Sequence, residues 1–112
     1  MNSKCEIDEK GNKFYVNDKR QLHREDGPAV ELVDGTKRWY INNQRHRSDG
    51  PAVIYANGDK EWWVNHKLHR LDGPAIEWVC GVNVHFIDYE LVSEAQFPIK
   101  VEIFKLMEKY AS

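Results

Sequence analysis

The sequence predicts a mainly β fold: an open meander of repeated β-hairpins followed by one C-terminal α-helix. Three observations carry that expectation. An eight-residue block returns with a 23-residue period, as His23-Arg24-Glu25-Asp26-Gly27-Pro28-Ala29-Val30, His46-Arg47-Ser48-Asp49-Gly50-Pro51-Ala52-Val53 and His69-Arg70-Leu71-Asp72-Gly73-Pro74-Ala75-Ile76. A second set of turn signals, Asp34-Gly35, Asn57-Gly58 and Cys80-Gly81, keeps the same step and precedes Trp39, Trp62 and His85. After Ser93 the apolar residues change to helical spacing.

In chain order, each unit reads as strands because aromatic and β-branched residues sit between turn signals without a 3.6-residue period. The expected pairs are 29–33 with 37–42, 52–56 with 60–65 and 75–79 with 82–88. Asp34-Gly35 and Asn57-Gly58 suit tight hairpins, since glycine accepts positive φ and the residue before it tolerates the left-handed region. Asp-Gly-Pro triplets make the other turns, with Asp26, Asp49, Asp72, Gly27, Gly50 and Gly73 as structural turn residues and proline entering a strand where no donor is needed. Lys67-Leu68-His69 is expected to pair back after Asn65-His66. Trp39-Tyr40-Ile41-Asn42 and Trp62-Trp63-Val64-Asn65 match Phe14-Tyr15-Val16-Asn17 and His85-Phe86-Ile87-Asp88 more loosely, so the end repeats are degenerate. In that alignment the first copy has two extra residues, which places a longer loop near Lys19-Arg20-Gln21. Strand alternation puts Phe14, Val16, Trp39, Ile41, Trp62 and Val64 on one face, and Tyr15, Tyr40, Trp63 and Phe86 on the other. Both aromatic rows need a cover.

The array is expected over residues 10–92 and an amphipathic helix over 93–110, within a single domain of residues 1–112. Ser93-Glu94-Ala95-Gln96 resembles a capping box, and Pro98 fits a first turn. Phe97, Val101, Phe104 and Met107 form one apolar row of this helix, and Ile99, Ile103, Leu106 and Tyr110 a second. So wide an arc is explained by packing along the sheet or by a homodimer through the helix.

Composition bounds the function. At 112 residues, with 41% hydrophobic and 12% aromatic residues, the chain is long enough for one core. Sixteen Lys and Arg against 18 Asp and Glu leave a net charge of −2, which argues against long nucleic acid and anionic membranes as partners. No apolar run reaches the length of a membrane span, and the first residues lack the apolar stretch of a secretory signal. The expected location is the cytoplasm. Cys5 and Cys80 have neither a disulfide framework nor metal-ligand spacing.

Through its His-Arg-x-Asp-Gly-Pro-Ala copies and its Trp-Tyr/Trp-Ile/Val-Asn segments, the chain resembles a group of short hairpin-repeat proteins of tailed phages and large DNA viruses, similar to a variant of the MORN repeat. The likeness covers about residues 10–92 and extends to Ser93, Glu94 and Phe97. It implies a scaffold that binds or dimerises and is not a catalyst, and a phage-type accessory protein acting in the host cytoplasm on a host factor such as a defence protein. The usual MORN pattern has more glycines; Asn17-Asp18, Asn42-Asn43 and Asn65-His66 stand where it has Asn-Gly.

The His-Arg-x-Asp triplets are the main candidate chemistry. Read structurally, Asp26, Asp49 and Asp72 organise turns, Arg24, Arg47 and Arg70 pair with them, and His23, His46 and His69 fill strand positions. Read functionally, the same His and Arg residues line a groove, with Tyr40 and Trp63 as stacking or anchoring aromatics flanked by Arg47 and Arg70. Equivalent histidines one repeat apart are about 10 Å from each other, too far to share a metal, so neither a metal nor another cofactor is expected. No P-loop, Gly-x-Ser-x-Gly or Gly-x-Gly-x-x-Gly motif occurs, and catalysis is not expected. The expected function is binding and inhibiting a host protein through the aromatic and His-Arg face. A sponge for a small nucleotide signal at an oligomer interface is the first alternative, and a self-assembling structural repeat the second.

Overall fold

The computed structural model describes residues 3–110; Met1, Asn2, Ala111 and Ser112, which the single-domain reading includes, lie outside the described residues. Thirteen short strands precede one helix: β1 (Lys4–Ile7), β2 (Lys13–Val16), β3 (Val30–Glu31), β4 (Lys37–Arg38), β5 (Tyr40–Ile41), β6 (Gln44–Arg45), β7 (Val53–Ile54), β8 (Lys60–Glu61), β9 (Trp63–Val64), β10 (Lys67–Leu68), β11 (Ile76–Glu77), β12 (Asn83–Ile87), β13 (Glu90–Val92) and α1 (Phe97–Tyr110). Nine of them form one antiparallel sheet in the order β1-β2-β3-β4-β7-β8-β11-β12-β13, and β5-β6 and β9-β10 form separate hairpins. The expected open meander of hairpins with a C-terminal helix is the fold observed. The sheet starts at β1, ahead of residue 10.

The long strands expected at 37–42 and 60–65 are each broken at their tryptophan. Trp39 donates its N–H to Ala52 O of the next repeat at 2.8 Å, while its carbonyl accepts from His46 N at 3.2 Å. Trp62 does the same with Ala75 and His69, and Tyr15 with Ala29 and His23. One residue thus belongs to two ladders, and the chain passes there from the long sheet into a short hairpin. Tyr15, and not Phe14, is therefore the counterpart of Trp39 and Trp62. With that alignment the first copy has one extra residue and not two, since Tyr15 to His23 is one step longer than Trp39 to His46. The extra residue sits in the expected loop, with Arg20 at φ 63°.

The two turn classes also differ from expectation. At Asp34-Gly35, Leu32 accepts from Gly35 N at 3.0 Å and donates to Thr36 O at 2.9 Å. This is a three-residue loop in which only the glycine is left-handed, at φ 99°. Ala56-Asn57-Gly58, Val79-Cys80-Gly81 and Glu9-Lys10-Gly11 repeat it. The two-residue turns with both residues left-handed are Asn42-Asn43, Asn65-His66 and Asp88-Tyr89. Lys67 and Leu68 pair back on Val64 and Trp63 after the second of these, as expected.

The core is thin and runs along the array. Ala29, Ala52 and Ala75 of the Gly-Pro-Ala triplets are fully buried beside Val30 and Val53. A second cluster of Ile87, Val92 and Val101, with Leu71, Phe97 and Phe104 against it, seats α1 on the last repeat. The helix begins four residues after the expected Ser93. Ser93 to Gln96 form their own turn, closed by Gln96 N onto Ser93 O and Oγ, both at 3.2 Å. Phe97 N–H turns to Glu94 O at 3.4 Å and not to Ser93 O, and the Pro98 ring would clash with the Glu94 carbonyl of a helix continued through this turn, so the helical ladder begins with Lys100 N on Gln96 O at 3.0 Å. Proline stands in the first helical turn, where its missing donor costs little.

Tyr89 occupies a left-handed position at φ 71° with its side chain largely exposed. Side chains other than glycine, and to a lesser degree asparagine and aspartate, are strained there by about 1–2 kcal/mol, partly offset by the greater chain entropy glycine loses on folding. Tyr89→Gly is expected to raise stability by up to about 1 kcal/mol, measured by urea unfolding; a loss of stability contradicts this account of the turn.

Candidate functional site

The His-Arg-x-Asp segments leave each short hairpin and lie along one face of the array. In every copy the arginine is placed in the same way. Arg47 Nε donates to Asp49 Oδ1 at 3.0 Å and Nη1 donates to Pro51 O at 3.0 Å, with the guanidinium carbon 4.0 Å from the Trp39 ring centre. Arg70 bonds Asp72 and Pro74 O and lies 3.8 Å from the Trp62 ring centre. Arg24 bonds Asp26 and Pro28 O over the Tyr15 ring at 3.9 Å. Arg24 and Arg70 also reach a second carboxylate, Glu31 at 3.3 Å and Glu77 at 2.8 Å; Ile54 holds that place in the middle repeat. The pairing of Arg with Asp expected from sequence is present. The aspartates accept from Arg Nε rather than from the backbone of their own turns.

The glycines of these triplets have ordinary φ and are required for space. A Cβ on Gly27, Gly50 or Gly73 would stand 3.0, 2.9 or 2.8 Å from the Cζ of Arg24, Arg47 or Arg70. Each guanidinium is packed against a glycine and over an aromatic ring, geometry that a planar cation satisfies and an ammonium does not.

The histidines are engaged within the chain. His23, His46 and His69 accept through Nδ1 from the backbone N–H of Asn42, Asn65 and Asp88, at 3.0, 3.0 and 2.8 Å. Each acceptor nitrogen must be unprotonated, which puts the proton of the neutral ring on Nε2. The His23 Nε2 is buried without a hydrogen-bond partner, with Glu25 Oε2 at 3.5 Å. His69 also packs on Phe104, ring centres 5.1 Å apart. Its burial there holds its pKa below the ordinary imidazole value, with Asp88 and Glu108 pulling it partly back.

The aromatic rows are distributed differently from the sequence reading. Tyr40 and Trp63 are half-buried and are not the rings beneath Arg47 and Arg70. Their carbonyls accept from the N–H of Arg24 and Arg47 at 3.1 Å. The Trp63 indole donates to Glu61 at 2.9 Å and lies under Arg45, whose Cζ is 4.7 Å from the ring centre. Trp39, Trp62 and Tyr15 are the rings that share a face with the arginines. The cue for Tyr15 is present in the sequence as Gly11, which precedes it by the interval that separates Gly35 from Trp39.

Between successive Arg-x-Asp-Gly loops lie two open clefts one repeat apart. The first, about 430 Å³, is bounded by Arg24, Asp26, Trp39, His46 and Asp49; the second, about 480 Å³, by Arg47, Asp49, Trp62, His69 and Asp72. Asp26, Asp49 and Asp72 project largely into solvent. Glu25, Glu31 and Glu77 add carboxylates to this face, and Lys13, Lys37 and Lys60, the cross-strand partners of Glu31 and Glu77, add ammonium groups beside them, so the uncompensated negative charge is that of the exposed aspartates at the cleft rims.

Among the described residues, no group of three or more His, Cys, Asp or Glu side chains could hold a metal ion. Cys5 and Cys80 are exposed free thiols. No helix among the described residues is long and apolar enough to cross a membrane. No protein-family model, curated protein or solved structure matches the chain.

Gly50→Ala is expected to destabilise the protein by about 1–2 kcal/mol, because the new methyl displaces Arg47 from Asp49, Pro51 O and Trp39. In an Arg47→Ala background the same change should cost little. Equal cost in both backgrounds, read by urea unfolding of the double-mutant cycle, contradicts the packing account.

A histidine whose folded pKa lies below its unfolded value contributes stability that is present above about pH 6.5 and is lost as pH falls through the folded value. His69→Asn keeps an acceptor for Asp88 N–H, with Oδ1 in the place of Nδ1, without titrating. The variant should lose less thermal stability than the wild type between about pH 7.5 and 5; parallel curves contradict the assignment.

Proposed function

We propose that this protein is a non-catalytic binding scaffold whose row of clefts takes an extended, basic segment of a partner protein. The observation that carries the reading is the pair of equivalent clefts one repeat apart, each rimmed by exposed aspartates. Each repeat adds two strands to the long sheet, so the clefts recur about every 9.5 Å, close to one turn of an extended polyproline II chain, three residues at about 3.1 Å each, which returns every third side chain to the same side. A partner with a basic side chain at every third residue matches that pitch. The arginines contribute by holding the aspartates in place, since their Nε and Nη1 groups are already committed within the chain.

A phosphate-bearing nucleotide fits less well, because the groups exposed at the cleft rims are aspartates while the arginines are engaged within the chain. The resemblance to phage-type hairpin repeats makes a host protein the partner to seek and inhibition the effect to assay. It also supports a role in the cytoplasm of the host.

Fluorescence anisotropy with a labelled extended peptide carrying lysine at every third position tests the reading. The wild type should bind, and Asp49→Asn, shared by both clefts, should weaken binding about three- to tenfold with little change in thermal stability. Unchanged affinity of the Asp49→Asn variant sinks the groove, as does stronger binding of a peptide with glutamate in place of lysine.

A further inference from the structure

The C-terminal helix is apolar on two opposite sides, and the fold uses one. Phe97, Val101 and Phe104 seat it on the last repeat. On the other side Ile99, Ile103, Leu106 and Tyr110 are 67, 45, 54 and 73% exposed. These four step by four, three and four residues, the spacing of a coiled-coil seam and not of scattered surface residues. We infer that α1 pairs with the α1 of a second copy in antiparallel orientation, forming a two-fold symmetric homodimer.

The charges beside the seam select that occupant and that direction. With the axis passing between the Ile103 and Leu106 layers, Ile103 of each copy meets Leu106 of the other, and Ile99 meets Tyr110. Glu102 then falls opposite Lys109 of the other copy, twice by symmetry. Among the described residues neither Glu102 nor Lys109 has an ion-pair partner within its own chain. A parallel arrangement sets Glu102 beside Met107 and forms no such pair. The surface is therefore complementary to itself, as an isologous interface requires. The 14-residue helix is about 21 Å long, so the contact lies at the small end of stable interfaces and association falls in the micromolar range. The inference is independent of the cleft reading and uses none of its residues.

Sedimentation equilibrium of the full chain from about 1 to 200 µM tests it. The mass should rise with concentration from 13.2 kDa to twice that value and stop there. The Ile103→Glu, Leu106→Glu double variant should stay monomeric with an unchanged circular dichroism spectrum. Glu102→Lys and Lys109→Glu should each weaken the dimer about tenfold, and the two together should restore it. A monomer throughout the range, open-ended growth, or a dimer indifferent to the double variant overturns the proposal. Single charge changes without effect, or without mutual rescue, overturn the antiparallel register.

Discussion

Each repeat of this chain is held by hydrogen bonds that its own turns direct sideways into the repeat before. In Asn42-Asn43, Asn65-His66 and Asp88-Tyr89 both residues are left-handed, and their two N–H groups point back along the array. The first N–H reaches Nδ1 of His23, His46 or His69; the second reaches the carbonyl of Leu22, Arg45 or Leu68 at 2.8 Å. At the opposite hairpin end, Asn12, Thr36 and Asp59 accept from the N–H of Val33, Ala56 and Val79. Strands of two residues cannot stand alone, and isolated hairpins are marginal in water. Stitched in series they become one sheet, with stability built from nearest-neighbour interfaces.

The arginine stacks follow from that constraint. A thin array has little room for a conventional core, and its deepest side chains are alanines and valines. Aromatic rings that would otherwise face water are covered by guanidinium groups, each packed against a glycine and held by a carboxylate. The repeated charges therefore cover a hydrophobic surface, and the carboxylates that balance them form the outward rim of the clefts. Architecture and candidate binding surface are built from the same residues.

The last repeat departs from this pattern where the array must end. His85 stands where Trp39 and Trp62 stand in earlier units, and Ser93 stands where an arginine would be. Phe97 covers the His85 ring at 4.1 Å between centres in place of a guanidinium, and Phe104 covers His69. The helix is thus a cap made with the geometry of the repeat and different chemistry.

The 23-residue period located the turns at Asp34-Gly35, Asn57-Gly58 and Cys80-Gly81, because identical residues at a fixed step must occupy equivalent places in a stacked array, and the helical spacing after Ser93 located the C-terminal helix. The β1–β2 hairpin and the Asp88-Tyr89 turn, outside the clear copies, came only with the structure. The period also marked His23, Arg24, Asp26 and their copies as a unit. Only the tertiary structure decided that the strands break at Tyr15, Trp39 and Trp62, that the histidines accept from the next repeat, and that the arginines cover those rings and not Tyr40 and Trp63. The glycines of the triplets show why. Their composition reads as a turn, yet their φ is ordinary and what excludes a side chain is Arg47 or its equivalent, three residues back in the chain but folded against the backbone. Two-residue alternation assumes an unbroken strand, and a residue that donates to one ladder and accepts from another ends that assumption without changing any local propensity. Such choices depend on which partner strand lies alongside, and that is a property of the assembled sheet.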